Sequence, residues 1–136
     1  MAYIDSNVFL YPVLYQEAIQ PKAKKAKEIL LKIENGTLSA FTSTLTWDEV
    51  VWVISRRMSR NDGISQGQKL LGFPNLQFIN VDEGILIQAQ ALMSKYKLSP
   101  RDSIHVASAL DRRIKTIVSD DEDFDQVKEI KRNPLQ

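Results

Sequence analysis

Cysteine is absent from the 136 residues and histidine occurs once. The first absence excludes disulfides, thiolate metal sites and cysteine nucleophiles, and the two together make zinc a poor candidate for any metal site. Such a chain suits a reducing compartment. No window approaches the ~20 apolar residues that would span a bilayer. Met1-Ala2-Tyr3-Ile4-Asp5 offers neither the basic nor the apolar region of an export signal. A cytoplasmic protein with no membrane partner is therefore expected. Charge imbalance is missing too: the formal net charge is +1, so contact with a polyanion would have to come from local basic patches. No repeat, linker or low-complexity tract interrupts the chain.

What is present is a composition that can build a core, with 43% apolar residues. Single cores usually contain about 100–200 residues, so one domain over 1–136 is expected.

Along the chain, short apolar runs alternate with helical periodicity. Ala2-Tyr3-Ile4 reads as a buried strand stopped by Asp5-Ser6-Asn7, with a short helical stretch opening at Val8. Pro21 suits the first position of a helix whose Ala23, Ala26, Ile29, Leu30 and Ile33 share a face, and Asn35-Gly36 ends it. Leu38 to Phe41 is a second strand, followed by helix-start residues Thr42-Ser43-Thr44. The helix from about Leu45 to Met58 is apolar on most sides, which predicts that it is largely buried. A helix over Ile64 to Leu71, a turn at Gly72-Phe73-Pro74-Asn75, a third strand over Leu76 to Val81 and an Asp82-capped helix follow. Ser99-Pro100 starts another helix, Thr116-Ile117-Val118 is a fourth strand, and the tail through Ile130 offers a fifth at the sheet edge. This alternation predicts an α/β fold whose parallel sheet of four to five strands is covered on both faces. Ligands of such sheets bind beyond the carboxyl ends of the strands, at the switch point in strand order.

Four acids stand where structural roles are hardest to assign. Asp5 ends the first strand, Asp121 follows the fourth, Asp102 lies in the first turn of a helix, and Glu49 sits among Val50, Val51 and Val53. If the first and fourth strands are neighbours, these carboxylates can meet at one mouth. Their repulsion must then be relieved by protonation or by a hard cation. An oxygen-only donor set suits Mg²⁺ or Mn²⁺. Each acid also has a simpler reading. Asp5 can cap the next helix, Asp102 stands at capping-box spacing from Ser99, Asp123 can cap a terminal helix, and Asp120, Glu122, Asp123 and Asp125 can be a solvated charge run. His105, one turn after Asp102, is placed outside the site, and Trp52 is assigned to core or dimer packing rather than to base stacking.

Tyr3-Ile4-Asp5-Ser6-Asn7-Val8-Phe9 resembles the opening of PIN-domain ribonucleases, in which a strand-terminal Asp precedes Ser/Thr-Asn. Trp47-Asp48-Glu49-Val50, Arg101 to Leu110, and Ser119-Asp120-Asp121-Glu122-Asp123-Phe124 are similar to that family's second, third and fourth acidic segments, in order. The resemblance implies a three-layer α/β/α fold and metal-dependent hydrolysis of RNA phosphodiester bonds, with water attacking and the 3′-oxygen leaving. It implies that Asp5, Glu49, Asp102 and Asp121 surround Mg²⁺ or Mn²⁺, with Asp5, Asp102 and Asp121 nearest the metal and Glu49 helping to hold a metal or to orient water. Asn7 and Ser119 would fix carboxylate geometry, Asp123 matches a more variable fifth acid, and Ser119 stands where Thr is usual. The short form is similar to VapC-like toxins of VapBC toxin–antitoxin pairs, which implies a homodimer silenced by a cognate VapB-like antitoxin. Arg101, beside Asp102, is the preferred phosphate contact for RNA; Arg56, Arg57, Arg60, Arg112, Arg113 and Lys115 are further basic residues. Two alternatives stand beside this reading. One is a catalytically silent module of the same fold that binds RNA or a partner protein. The other is an aspartyl phosphotransferase, whose usual second Asp is replaced here by Asn7.

Overall fold

Apolar strands flanked by amphipathic helices fold here as the alternation predicts. The computed structural model describes residues 1–136. In chain order its elements are β1 Ala2–Ile4, α1 Ser6–Leu14, α2 Pro21–Glu34, β2 Ala40–Ser43, α3 Thr44–Arg57, α4 Arg60–Leu71, β3 Leu76–Ile79, α5 Glu83–Lys95, α6 Pro100–Asp111, β4 Thr116–Val118, a 3₁₀ turn Glu122–Gln126 and β5 Lys131–Asn133. The strands form one parallel sheet in the order β3-β2-β1-β4-β5. From β1 the chain adds β2 and β3 on one side, then crosses to place β4 on the other. The switch point therefore lies between β1 and β4, paired as Tyr3 with Ile117 and Ile4 with Val118.

Alternation along β1 divides the core. Ala2 and Ile4 face a cluster with Val8, Phe9, Ile29, Ile33, Val50 and Ile54, drawn from α1, α2 and α3. Tyr3 faces a second cluster with Ile85, Leu92, Val106 and Ala109, from α5 and α6. Two helical layers thus sandwich the sheet, giving the expected three-layer α/β/α arrangement. No helix is long and apolar enough to cross a membrane.

Helix starts follow their capping chemistry. The side chains of Ser59, Asp82 and Ser99 accept from Asp62, Ile85 and Asp102 backbone N–H groups, respectively. The Ser59 cap starts α4 ahead of the expected Ile64. Elsewhere the structure corrects the element limits. β2 runs two residues later than expected, so that Thr42 and Ser43 belong to the strand. β5 follows Ile130 instead of ending there. The expectation of a largely buried α3 also fails: only Thr46, Val50 and Ile54 are fully buried. Trp47 and Val51 line an open groove with Ile64 and Leu71 of α4. Trp52 is 51% exposed, with the Arg56 guanidinium 4.8 Å above its ring, so it fills no core position.

Candidate metal centre

At the carboxyl end of β1, Asp5 is buried and serves as the cap of α1, accepting from Ser6 N–H at 2.7 Å. The same carboxylate is held across the switch point. Ser119, directly after β4, donates its hydroxyl to Asp5 Oδ2 at 2.6 Å. That hydroxyl accepts from Asn7 Nδ2 at 3.2 Å and from Asp121 N–H at 3.0 Å. One donor and two lone pairs are all a serine hydroxyl has, and all three are used. Asn7 Nδ2 also reaches Asp5 Oδ2 at 3.3 Å. The simpler reading of Asp5 as a cap and its place among the acids therefore hold together.

Asp102 rises toward this point from the first turn of α6. Its N–H is capped by Ser99 Oγ at 3.1 Å. Asp121 caps the 3₁₀ turn, accepting from Asp123 N–H at 2.9 Å, so the expected capping by Asp123 is made by Asp121 instead. Carboxylate oxygens of Asp102, Asp121 and Asp123 lie within 4.8 Å of one another. Burial, then the charges of Asp121 and Asp5, push the Asp102 carboxyl up to about 7. Asp5 is likewise raised, chiefly by burial and only partly offset by His105 and Ser119. The site is under electrostatic stress, and the donors of its Asp102–Asp121–Asp123 group are oxygens alone. A hard divalent ion fits that donor set and would relieve the repulsion.

Glu49 meets the group from the opposite layer. It forms a second set with Asp5 and His105, whose ligand atoms also lie within 4.8 Å of one another. The four expected acids are therefore brought to one end of the sheet, but as two adjoining groups: Asp102 and Asp121 with Asp123, and Asp5 with Glu49. Asp5 joins them, since its charge acts on Asp102.

The placement of His105 outside the site is corrected. Its buried ring stands 2.5 Å from Glu49 Oε1 and 3.6 Å from Asp5 Oδ1 through Nε2. Burial disfavours the charged ring, but Tyr3, the Glu49 bond and the charges of Asp5 and Glu49 outweigh it and hold its pKa well above the ordinary histidine value. The signal was available in the spacing: three residues apart on a helix, Asp102 and His105 share a face. Tyr11 and Lys22 were also missed. They bind the two oxygens of Asp120, each at 2.7 Å, and anchor the loop that carries Asp121. Arg101 is exposed beside Asp102, as a phosphate contact needs to be.

Comparison with known proteins agrees with the fold. No curated protein matches the chain. Among solved structures, the sarcin–ricin loop-cleaving toxin VapC20 of Mycobacterium tuberculosis is similar with a TM-score of 0.73 at 14% identity, over 94% of this chain and 95% of that one. A chain of VapBC2 from Rickettsia felis, bound to a promoter DNA fragment, gives 0.73 at 14% identity and 98% of each chain. A chain of FitAcB from Neisseria gonorrhoeae gives 0.72 at 14% identity, over 99% of this chain and 98% of that one. At these identities the likeness is one of fold. The PIN domain family model matches residues 2–130, and the chain belongs to the PIN-domain family.

Proposed function

We propose that this protein is a Mg²⁺- or Mn²⁺-dependent endoribonuclease that hydrolyses RNA phosphodiester bonds, and that it is the toxin of a VapBC-type toxin–antitoxin pair. The observation that carries the reading is the group of Asp102, Asp121 and Asp123 at the β1–β4 switch point, adjoined by Asp5, with Asp102 raised to about 7 by burial and the charges of Asp121 and Asp5. Asp102 and Asp121 would hold the metal together with Asp5, and Asp123 is close enough to share in it. When bound, the ion supplies a Lewis acid for the phosphoryl oxygens and makes water a better nucleophile at neutral pH.

The remaining work falls to the chain itself. Ser119 and Asn7 keep Asp5 in one orientation through bonds of 2.6 and 3.3 Å. Glu49, bonded to His105 through Oε1, uses its other oxygen to orient the attacking water or to hold a metal. Arg101 meets a phosphate from the rim, where its planar fork matches the oxygens of the backbone. The whole of 1–136 acts as one PIN domain, in the cytoplasm and as a homodimer, silenced by a VapB-like antitoxin. The toxin–antitoxin complexes among the similar folds support that partner.

The test is cleavage of a panel of RNAs that includes total cellular RNA and a sarcin–ricin stem-loop. Cleavage should require Mg²⁺ or Mn²⁺, stop with chelator, and vanish in Asp5→Asn and Asp102→Asn while both variants remain folded. Full activity in both variants would remove the assignment. Binding without cleavage under every metal would favour a silent RNA-binding module.

A further inference from the structure

His105 is the one histidine in the chain, and both of its ring nitrogens are engaged by side chains. Nδ1 lies 2.6 Å from the Tyr3 hydroxyl, and Nε2 lies 2.5 Å from Glu49 Oε1. A carboxylate only accepts, so the proton of that second bond belongs to Nε2. The Tyr3 hydroxyl can donate to a bare Nδ1 or accept from a protonated one, so it completes the ring in either form. Tyr3 and His105 are both fully buried. Tyr3 lies in β1 two residues before Asp5, which follows the strand as the cap of α1, and His105 stands one turn after Asp102 on α6. The line Tyr3–His105–Glu49 thus starts in the core beside two of the acids and ends on the third. It also links the two helical layers across the sheet end, since α6 packs on one face and α3 on the other.

A histidine that merely filled the core would be satisfied by any nearby carbonyl. Here it is aimed instead at a partly exposed acid whose second oxygen, Oε2, makes no hydrogen bond within the protein. Unheld, a glutamate side chain has three rotatable bonds and samples many positions. Held at Oε1, it keeps Oε2 for water or metal.

We propose that Tyr3 and His105 form a buried positioning pair that fixes the Glu49 carboxylate beside Asp5, touching neither substrate nor metal themselves. This rests on the nuclease reading above and adds two residues to it.

The experiment compares Tyr3→Phe, Glu49→Ala and the double variant with the wild type in RNA cleavage at saturating Mn²⁺. Mn²⁺ affinity is measured separately by calorimetry without RNA, and the fold is checked by circular dichroism. Tyr3→Phe keeps the ring in the core. It should lower kcat by about 10- to 100-fold, the usual effect of losing a group that orients a site, while KM for RNA stays within about twofold. In the Glu49→Ala background the same change should have no further effect, because the pair acts through Glu49. Independent, multiplying losses would overturn the proposal, as would wild-type kcat in Tyr3→Phe. Should Tyr3→Phe fail to fold, His105→Gln replaces it in the same cycle. Should wild type cleave no RNA while Mn²⁺ still binds, the nuclease reading falls, and the pair is judged on Mn²⁺ affinity alone. Weaker binding in Tyr3→Phe, absent in the Glu49→Ala background, then supports it, and unchanged binding overturns it.

Discussion

Ser119 donates to Asp5 at 2.6 Å across the junction of β4 and β1. The bond joins the two strand ends at the point where strand order reverses, and the same hydroxyl receives the Asp121 N–H at 3.0 Å. One side chain therefore sets the spacing between an acid of the first strand and an acid of the fourth.

Ser119→Ala should accordingly cost more than its size suggests. Asp5, Asn7 and Asp121 each lose a partner in a largely buried setting, which is worth about 1–3 kcal/mol of stability for a group left unsatisfied. RNA cleavage should fall by about 10- to 100-fold. Ser119→Thr keeps the hydroxyl and should retain most of the activity. Equal loss in the alanine and threonine variants would show that the hydroxyl is not what orders the strand ends.

Metal-free protein should lose stability as pH rises from 5 to 8. Between the ordinary carboxylate value of 3.8 and its folded value of about 7, Asp102 binds a proton that the unfolded chain has already released. The folded state is then the more protonated one, so stability falls with pH across that window. His105 acts in the same direction above 6.5, because its folded pKa is raised. Asp120, Asp125 and Glu129 are lowered, from 3.8, 3.8 and 4.5, and so act only at more acid pH. Melting curves in chelator should show a lower Tm at pH 8 than at pH 5. Mg²⁺ at a hundred times its pH 8 Kd should add about 2.7 kcal/mol at that pH, and the same concentration should add less at pH 5, where protons compete. A chelated Tm that is flat or rising over this range contradicts the stressed cluster.

Asp102→Asn separates stability from activity. The amide removes a charge that burial and Asp121 disfavour, so metal-free protein at pH 8 should melt several degrees higher than wild type. Cleavage and the Mg²⁺-induced rise in Tm should both disappear. A variant that is less stable than wild type at pH 8 in chelator would mean that the Asp102 carboxylate is satisfied rather than strained.

The short strands and the acids at their ends could be read from the chain because both depend on local pattern, whereas the adjacency of β1 and β4 is a long-range pairing that local pattern does not specify. Ala2-Tyr3-Ile4 and Thr116-Ile117-Val118 are short apolar runs stopped by Asp5 and by Ser119-Asp120. Parallel strands must carry such ends to one side of the sheet. The burial of α3 was misjudged because its apolar residues serve two surfaces: Val50 and Ile54 enter the core, whereas Trp47 and Val51 border the α4 groove. Composition does not separate those faces. The role of His105 depends on Glu49, fifty-six positions away in sequence and on the opposite layer. Only the helical spacing from Asp102 pointed to it, and that spacing alone is common.

The α3–α4 contact yields a last prediction, and it ranks two glycines. A Cβ at Gly63 would stand 1.9 Å from Ser55 Oγ and 3.1 Å from the Val51 carbonyl oxygen. The hydroxyl can rotate away, but the carbonyl belongs to a helix backbone and cannot. At Gly67 the obstacles are side chains, Val51 Cγ2 at 2.7 Å and Trp47 Nε1 at 2.9 Å. Trp47 is 40% exposed and has room to swing outward. Replacing glycine by alanine inside a helix gains about 1 kcal/mol in propensity, against an overpacking cost of about 1–3 kcal/mol. Gly67→Ala should therefore be near neutral and Gly63→Ala destabilising by about 1–2 kcal/mol. Ser55→Ala should recover part of the Gly63→Ala loss, by removing the hydroxyl but not the carbonyl. Cleavage per folded molecule should be unchanged in all three, since none of these residues borders the acids. Chemical denaturation with activity measured on the same samples tests the ranking. It fails if Gly67→Ala proves the more damaging of the two.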